Sequence, residues 1–293
     1  MGRHLLPALE AAFPEAETVL FRADITDHVA VDAEVASCRP DACVHLAGVA
    51  AIGDARADPA RAWAVNLHGT LALAGSILRH APSCRMVFAS SSDLYGASFR
   101  NGLALNEAAI LAPLNTYGAT KAAADLALGA MASDGLRVVR MRPFNHTGPG
   151  QSAAFALPAF ARQVVRIEMG LQPPVLKVGD LSPLRDFLDV RDVCAAYAMS
   201  LRPANAAVGI YNIASGTARR IGDVLQDLLD AAGVSASVET QGALLRPSDI
   251  PLATGDAGAI ARDLGWEPRI AWTTTIADVI ADWRLRLSKN PQA

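Results

Sequence analysis

The sequence predicts an α/β fold, as one large domain or a main domain with a lobe. Three observations carry this reading. Short apolar runs, clearest in Met86-Val87-Phe88-Ala89, alternate with longer helical runs such as the Ala-rich stretch after Thr116. The Met86–Ala89 run ends in Ser90-Ser91-Ser92-Asp93, so hydroxyls follow a strand's carboxyl end, where open α/β sheets place ligands. The 293 residues, 52% of them apolar, exceed a typical single domain and suffice for a large core.

Composition narrows the function classes. The net charge is -3 and the basic residues are dispersed. That argues against nucleic-acid and membrane-surface partners, but leaves an anionic small ligand open. No run approaches the roughly 18 apolar residues of a membrane span, and the start lacks a signal-peptide pattern. Cys38, Cys43, Cys84 and Cys194 form no Cys-x-x-Cys and no ligand-like spacing with histidine. Reduced, mostly buried thiols in a cytoplasmic protein are expected, with no metal site.

The chain opens on a helix with Leu5, Leu6, Leu9 and Phe13 as its apolar stripe. Thr18–Phe21 reads as a short strand, and Thr26 or Asp27 as a cap for the helix that follows. Cys43–Gly48 is a buried-type strand ending in small residues, which allow close approach to the backbone. His45 within it reads as a core histidine. Pro59–His80 predicts a helix and Arg85–Ala89 a strand. Tyr117 and Lys121, four apart at a helix start, share one face. An ammonium there is expected to lower the phenol's pKa toward neutrality, suiting the pair to general acid–base work. The Tyr117–Met131 helix is apolar nearly all round, so it is buried or lies at an interface. Arg137–Arg142 is a strand that runs through Pro143 into a turn-rich loop, Phe144–Gln151. A strand at Gly209–Ala214, a helix at Ile221–Ala232 and a final helix to Leu287 complete the chain.

Tyr117-x-x-x-Lys121, the Ser90–Gly96 stretch, Cys43–Gly48, Phe144–Gln151 and Arg185–Val193 together resemble the extended branch of the short-chain dehydrogenase/reductase superfamily. The likeness covers nearly the whole chain. It implies a Rossmann-type doubly wound parallel sheet, with a dinucleotide-binding core over residues 1–145. A smaller, mainly substrate-binding C-terminal α/β lobe is implied over 146–293, some of whose segments return to the core. In the family a strand and a Gly-x-x-Gly-x-x-Gly turn come first. Gly2 matches the last of those glycines, so the first strand and two glycines are absent from this sequence. That strand is central. Its loss would leave two unpaired edges and remove N–H groups that hold a pyrophosphate. A start at an internal Met is the favoured explanation; a variant with impaired cofactor binding is the other.

The resemblance also implies the site. Ser91, Tyr117 and Lys121 match the catalytic triad. Asp93 falls where the dehydratases carry an acid, although a loop or capping carboxylate is an open alternative. Cofactor contacts are expected from Gly2, Asp24, Ile25, Leu46, Ala47, Gly48, Asn66, Ser90 and Phe144, besides Tyr117 and Lys121. Asn66 matches an asparagine that supports the active site, and Gly48 departs from the usual alanine. Arg22 stands where a 2′-phosphate would be met, which favours NADP(H) over NAD(H). Ser92, Asn145, Arg185, Arg220 and Arg246 are the expected substrate contacts, since arginine's planar fork suits a diphosphate. Asp189 and Asp192 read as structural.

The Phe144–Gln151 loop resembles that of the branch's GDP-sugar reductases. The activity so implied is NAD(P)H-dependent reduction of a nucleoside-diphosphate 4-keto-6-deoxy sugar at C4, GDP-4-keto-6-deoxy-D-mannose to GDP-D-rhamnose. A GDP-mannose 4,6-dehydratase, a 4-epimerase, and an inactive nucleotide-binding scaffold stay open. The Pro59–His80 and Tyr117–Met131 helices are expected to pair with a second copy as a four-helix bundle, unless the latter is buried within one subunit.

Overall fold

The computed structural model describes residues 1–202, 208–242 and 250–292. From the N-terminus, α1 (Gly2–Ala12) and α2 (His28–Cys38) lead to β1 (Ala42–His45). A short α3 (Ile52–Ala57) precedes α4 (Pro59–Trp63) and α5 (Thr70–His80). Then follow β2 (Arg85–Ala89), the long α6 (Thr116–Ser133), β3 (Arg137–Pro143), β4 (Asn145–Thr147), α7 (Ala156–Glu168), β5 (Val175–Val178), β6 (Leu184–Asp189) and α8 (Val190–Ser200). The chain ends with β7 (Gly209–Ile213), β8 (Ala218–Arg220), α9 (Ile221–Ala232), β9 (Ser237–Thr240), β10 (Leu252–Ala253), α10 (Gly258–Leu264) and α11 (Trp272–Lys289).

The principal sheet is parallel throughout, in the order β1-β2-β3-β7. Its central strands carry apolar residues on both faces, as a sheet covered by helices on both sides requires, with Arg140 and Arg142 of β3 as charged exceptions. Met86, Phe88 and Val138 pack against Val31 and Val35 of α2, Leu73 and Ile77 of α5, and Ala124 and Leu128 of α6. Val87, Val139 and Met141 face the other way, toward Leu5 of α1, Val193 and Tyr197 of α8, and Ile260 of α10. In a second sheet, β6 pairs in parallel with β10 and β4, and antiparallel with β8. A third core joins α7, α9 and α11 to the β5–β9 pair. All four cysteines are free; Cys84 and Cys194 are buried, Cys43 half-buried and Cys38 exposed.

Two expectations need correction. Thr18–Phe21 forms no strand; Val19 and Leu20 are 63% and 65% exposed. A strand needs a partner for its N–H and C=O groups, and none is offered here among the described residues. β1 is accordingly an edge strand of the principal sheet. The second correction concerns Pro59–His80, which is helical throughout but not a single α-helix. A π-helical turn at Ala64–Gly69 separates α4 from α5 and carries Asn66.

Local chemistry explains the helix starts. Asp27 caps α2 by accepting from the Ala30 N–H, which settles the Thr26 or Asp27 choice. Asn115 caps α6 by accepting from the Gly118 N–H at 2.8 Å, and the Ala-rich sequence then carries the helix on. Asp189 caps α8 and also binds Arg191 and Thr275, while Asp192 accepts from the N–H groups of Arg269 and Ile270. Both aspartates are structural, as expected.

Candidate active site

β2 delivers its last residues to the carboxyl edge of the principal sheet. There the chain turns through the short 3-10 segment Ser92–Leu94. Ser91 is extended, accepts from the Asp93 N–H at 3.2 Å and donates to the Asp93 carboxylate at 3.3 Å. The first turn of α6 packs directly on this loop. A Cβ at Gly118 would stand 2.7 Å from the Asp93 carbonyl oxygen, so only glycine permits the approach. Tyr117 is brought beside Ser91 by that contact, near enough for the Ser91 hydroxyl to act on the phenol. One turn further on, the buried Lys121 Nζ donates to the Ala89 carbonyl at 2.8 Å and sits 4.9 Å from the centroid of the Phe88 ring.

The electrostatics reverse one expectation. The Tyr117 phenol is pushed above its ordinary pKa, chiefly by burial and then by the charge of Asp93; the Ser91 hydrogen bond opposes this. Lys121 is lowered to about 8 by burial, with Asp125 acting against the shift. Desolvation therefore outweighs the benefit an ammonium would give a phenolate. Asp93 is raised by burial, against the Ser91 hydrogen bond and the Arg185 charge. The site thus holds a neutral phenol, a proton donor, where the spacing alone suggested a phenolate.

Behind the hydroxyls lies a buried ionic network that the sequence reading missed. Asp125, two turns after Tyr117 on α6, is fully buried. It accepts from Ser90 Oγ at 2.7 Å, from Arg142 through Nη2 at 2.7 Å and Nε at 3.1 Å, and from Arg140 Nη1 at 3.2 Å. Arg142 also donates to the Tyr95 hydroxyl, which donates to Asn212 Oδ1. Ser90 was expected at the cofactor; its hydroxyl is instead taken by Asp125. The available signal was the spacing Tyr117, Lys121, Asp125 along one helix face.

Asn66 was also placed with the cofactor contacts. It is fully buried and acts as a clamp: it accepts from the Val49 N–H at 2.8 Å and donates to Val49 O and Thr120 Oγ1. Thr120 in turn donates to the Tyr117 carbonyl. His45 is a core residue, stacked on Phe88 and hydrogen-bonded to Thr70. The Phe144 ring is buried against Phe99 instead of lining a cleft, because β3 carries it inward.

Other expected positions divide as follows. Leu46, Ala47 and Gly48 leave the carboxyl end of β1 beside the site. A Cβ at Gly48 would come within 3.1 Å of Asn66 Oδ1 and 3.3 Å of Lys121 Nζ. Gly2 is exposed at the start of α1, whose first turn has no side-chain cap. Asp24 is exposed and accepts from the N–H and hydroxyl of Thr26, while Ile25 is buried in the core. Arg22 is exposed, with its N–H given to Glu34. Ser92 is buried at the head of the 3-10 turn, and Asn145 is exposed on β4. Arg185 on β6 interacts electrostatically with Asp93. Arg220 is exposed and held by Asp223, one residue out of register with Arg185. Arg246 lies outside the described residues.

These residues fit the nicotinamide-ribose end of a dinucleotide. Gly48 lets Asn66 and the buried Lys121 pack close against the backbone, where a methyl group would crowd both. At the pyrophosphate end the sequence supplies the start of α1 but not the family's two preceding glycines.

Fold and site define an NAD(P)(H)-dependent oxidoreductase of the short-chain dehydrogenase/reductase type. More narrowly, a family profile described as GDP-mannose 4,6 dehydratase matches residues 6–279, and the chain belongs to that family. It is 36% identical over 252 residues to the GDP-6-deoxy-D-mannose reductase of Pseudomonas aeruginosa, covering 86% of this chain and 83% of that one. Among solved structures it is similar to RMD from Pseudomonas aeruginosa complexed with NADPH, with a TM-score of 0.86, 33% identity and 96% of each chain covered. It is also similar to the UDP-glucose 4-epimerase of Thermus thermophilus in complex with NAD, with a TM-score of 0.82, 26% identity, and 97% and 95% of the chains covered.

Proposed function

We propose that the protein reduces the C4 keto group of a nucleoside-diphosphate 4-keto-6-deoxy sugar, converting GDP-4-keto-6-deoxy-D-mannose to GDP-D-rhamnose. One observation carries this reading: Ser91 and a neutral Tyr117 stand together at the carboxyl edge of a parallel sheet, one turn from a buried Lys121. The similarity to a reductase of that substrate class supports it. When bound, NAD(P)H supplies the hydride to C4. Tyr117 gives its phenolic proton to the carbonyl oxygen as that oxygen gains charge, and burial keeps the proton in place until then. Ser91 hydrogen-bonds the same oxygen and orients it. Lys121 holds the nicotinamide ribose. Proton transfer of this kind contributes about 10²–10⁴-fold in rate.

Leu46, Ala47 and Gly48 would accommodate the cofactor beside Lys121, and the first N–H groups of α1, at Gly2, would take pyrophosphate oxygens. Residues 1–145 thus serve mainly the cofactor and 146–293 mainly the substrate, with β7 returning to the principal sheet. Ser92, Asn145 and Arg185 are the described candidates for substrate contact. Arg22 favours NADP(H). We also read the protein as a cytoplasmic homodimer paired through α4, α5 and α6; its free thiols are consistent with a reducing compartment.

The test is an assay of the keto-sugar with NADPH and with NADH. Tyr117→Phe should abolish turnover while calorimetry finds cofactor affinity unchanged; near-wild-type turnover would refute the assignment. A second reading, dehydration of GDP-mannose, draws on Asp93, a carboxyl group beside Ser91 whose pKa is raised by burial. Loss of GDP-mannose without added reductant would select it.

A further inference from the structure

The register between β6 and β8 puts Arg185 opposite Arg219, and Leu184 opposite Arg220. Directly opposed residues of an antiparallel pair project from one face, with Cβ atoms about 4.5–5.5 Å apart. Arg219 therefore shares the face of Arg185, and Arg220, one residue on, takes the other. Phe187, two residues along β6 from Arg185, lies on the same face and is paired in register with Asn145 of β4. Arg185 on this face interacts with Asp93, which sits beside Ser91 and Tyr117. Through the charge of Asp93, Arg185 thus links this face to the active site.

Arg219 and Arg220 have different surroundings. Arg220 is exposed and bound to Asp223 through Nη2 at 2.6 Å. Arg219 is half-buried, and among the described residues it has no ion pair. Its guanidinium carbon lies 4.7 Å from the centroid of the Trp272 ring, and its Nε is buried without a hydrogen-bond partner. Trp272 is held in turn by Phe187, at a centroid separation of 5.8 Å, and by a 2.7 Å hydrogen bond from its indole N–H to Asp227. A permanently charged fork is therefore fixed by stacking, with donor capacity unused.

Like charges directly opposed across antiparallel strands destabilise a sheet, and arginine cannot relieve the repulsion by losing its proton. A doubly charged anion on this face would offset it further and use the unpartnered donor of Arg219. We propose that Arg219 is a diphosphate-binding residue that works with Arg185, with Trp272 holding its guanidinium in place. This rests on the nucleotide-sugar reading above and selects Arg219 over its neighbour Arg220, one of the arginines named from sequence.

Calorimetry on the full chain with GDP and GMP tests it. Arg219→Gln keeps the stem and a planar head but removes the charge; Arg220→Gln is the control. Arg219→Gln is expected to weaken GDP binding roughly 10- to 100-fold, to weaken GMP far less, and so to collapse the preference for the diphosphate. Arg219→Lys, which keeps the charge without the fork, should fall between. Arg220→Gln should bind GDP as the wild type does. GDP affinity within twofold of wild type in Arg219→Gln overturns the proposal, as does an equal loss of GDP and GMP binding, which marks a structural effect. A wild-type chain that binds neither GDP nor UDP overturns the nucleotide-sugar reading itself, and the proposal with it.

Discussion

Gly118 is the residue at which α6 touches the turn carrying Ser91 and Asp93. A Cβ there would lie 2.7 Å from the Asp93 carbonyl oxygen, a backbone atom that cannot swing aside. Gly118→Ala must therefore move Tyr117 away from Ser91. Overpacking of this sort costs about 1–3 kcal/mol, and a misplacement of about 1 Å can cost on the order of 10²-fold in rate. The expected result is a kcat lowered on that order together with a lower Tm; an unchanged kcat would show that helix and turn adjust independently. Lys121 gives a prediction in pH. Its pKa is depressed to about 8, so the ammonium is present below that pH and lost above it. The Tyr117 phenol, shifted upward, stays protonated through the same interval. The value of kcat/KM, which reports the free enzyme, should fall as pH rises through about 8 because Lys121 discharges. Lys121→Arg should move that fall to higher pH. A profile level from about pH 6 to about pH 10 in the wild type would contradict the assignment.

At the level of elements, the Asp125 network ties α6 to β3 and to the end of β2. Arg142 is almost wholly buried, so Asp125→Asn leaves its guanidinium without a counter-charge. Breaking a buried pair in this way costs about 3–5 kcal/mol, and Tm should drop accordingly. Ser90→Ala removes only one of the bonds. It should cost about 1 kcal/mol yet still reduce kcat, since Ser90 precedes Ser91; equal kcat in wild type and Ser90→Ala would separate the network from catalysis. The helix part of this arrangement could be read from the chain alone: Tyr117, Lys121 and Asp125 recur every four residues, and the Ile221–Ala232 helix was read with its observed bounds. Sheet pairing could not. Thr18–Phe21 has strand-like residues but no strand beside it, and local composition does not reveal a missing neighbour. Choosing between Arg219 and Arg220 requires the β6–β8 register, in which a slip of one residue exchanges the two faces. The Tyr117 pKa depended on burial, which a four-residue spacing does not report.

Across the whole molecule, two surfaces follow from the same topology. β1 ends the principal sheet, so its outward N–H groups have no ladder partner there. They should exchange with deuterium faster than those of β2, which is paired on both sides; equal protection would mean that another segment covers the edge. The second surface is the outer side of α4, α5 and α6. Tyr117, Lys121 and Asp125 point inward, whereas Ala119, Ala123 and Ala127 are only half-buried and Leu126 is 60% exposed. Trp63, at the end of α4, is 36% exposed. Small residues with isolated large ones suit close helix packing, and α4 and α5 both contact α6 within the subunit. Two copies meeting on this side would form the four-helix arrangement proposed above and would bury Leu126. Sedimentation of the wild type should then give twice 30.6 kDa. Leu126→Glu puts a carboxylate at each copy's contact, where its desolvation and mutual repulsion oppose association, and should yield the monomer. Because Leu126 faces away from Ser91, cofactor affinity should change little even as the dimer is lost. A wild type that sediments as a monomer, or a Leu126→Glu dimer as stable as the wild type, would place the contact elsewhere.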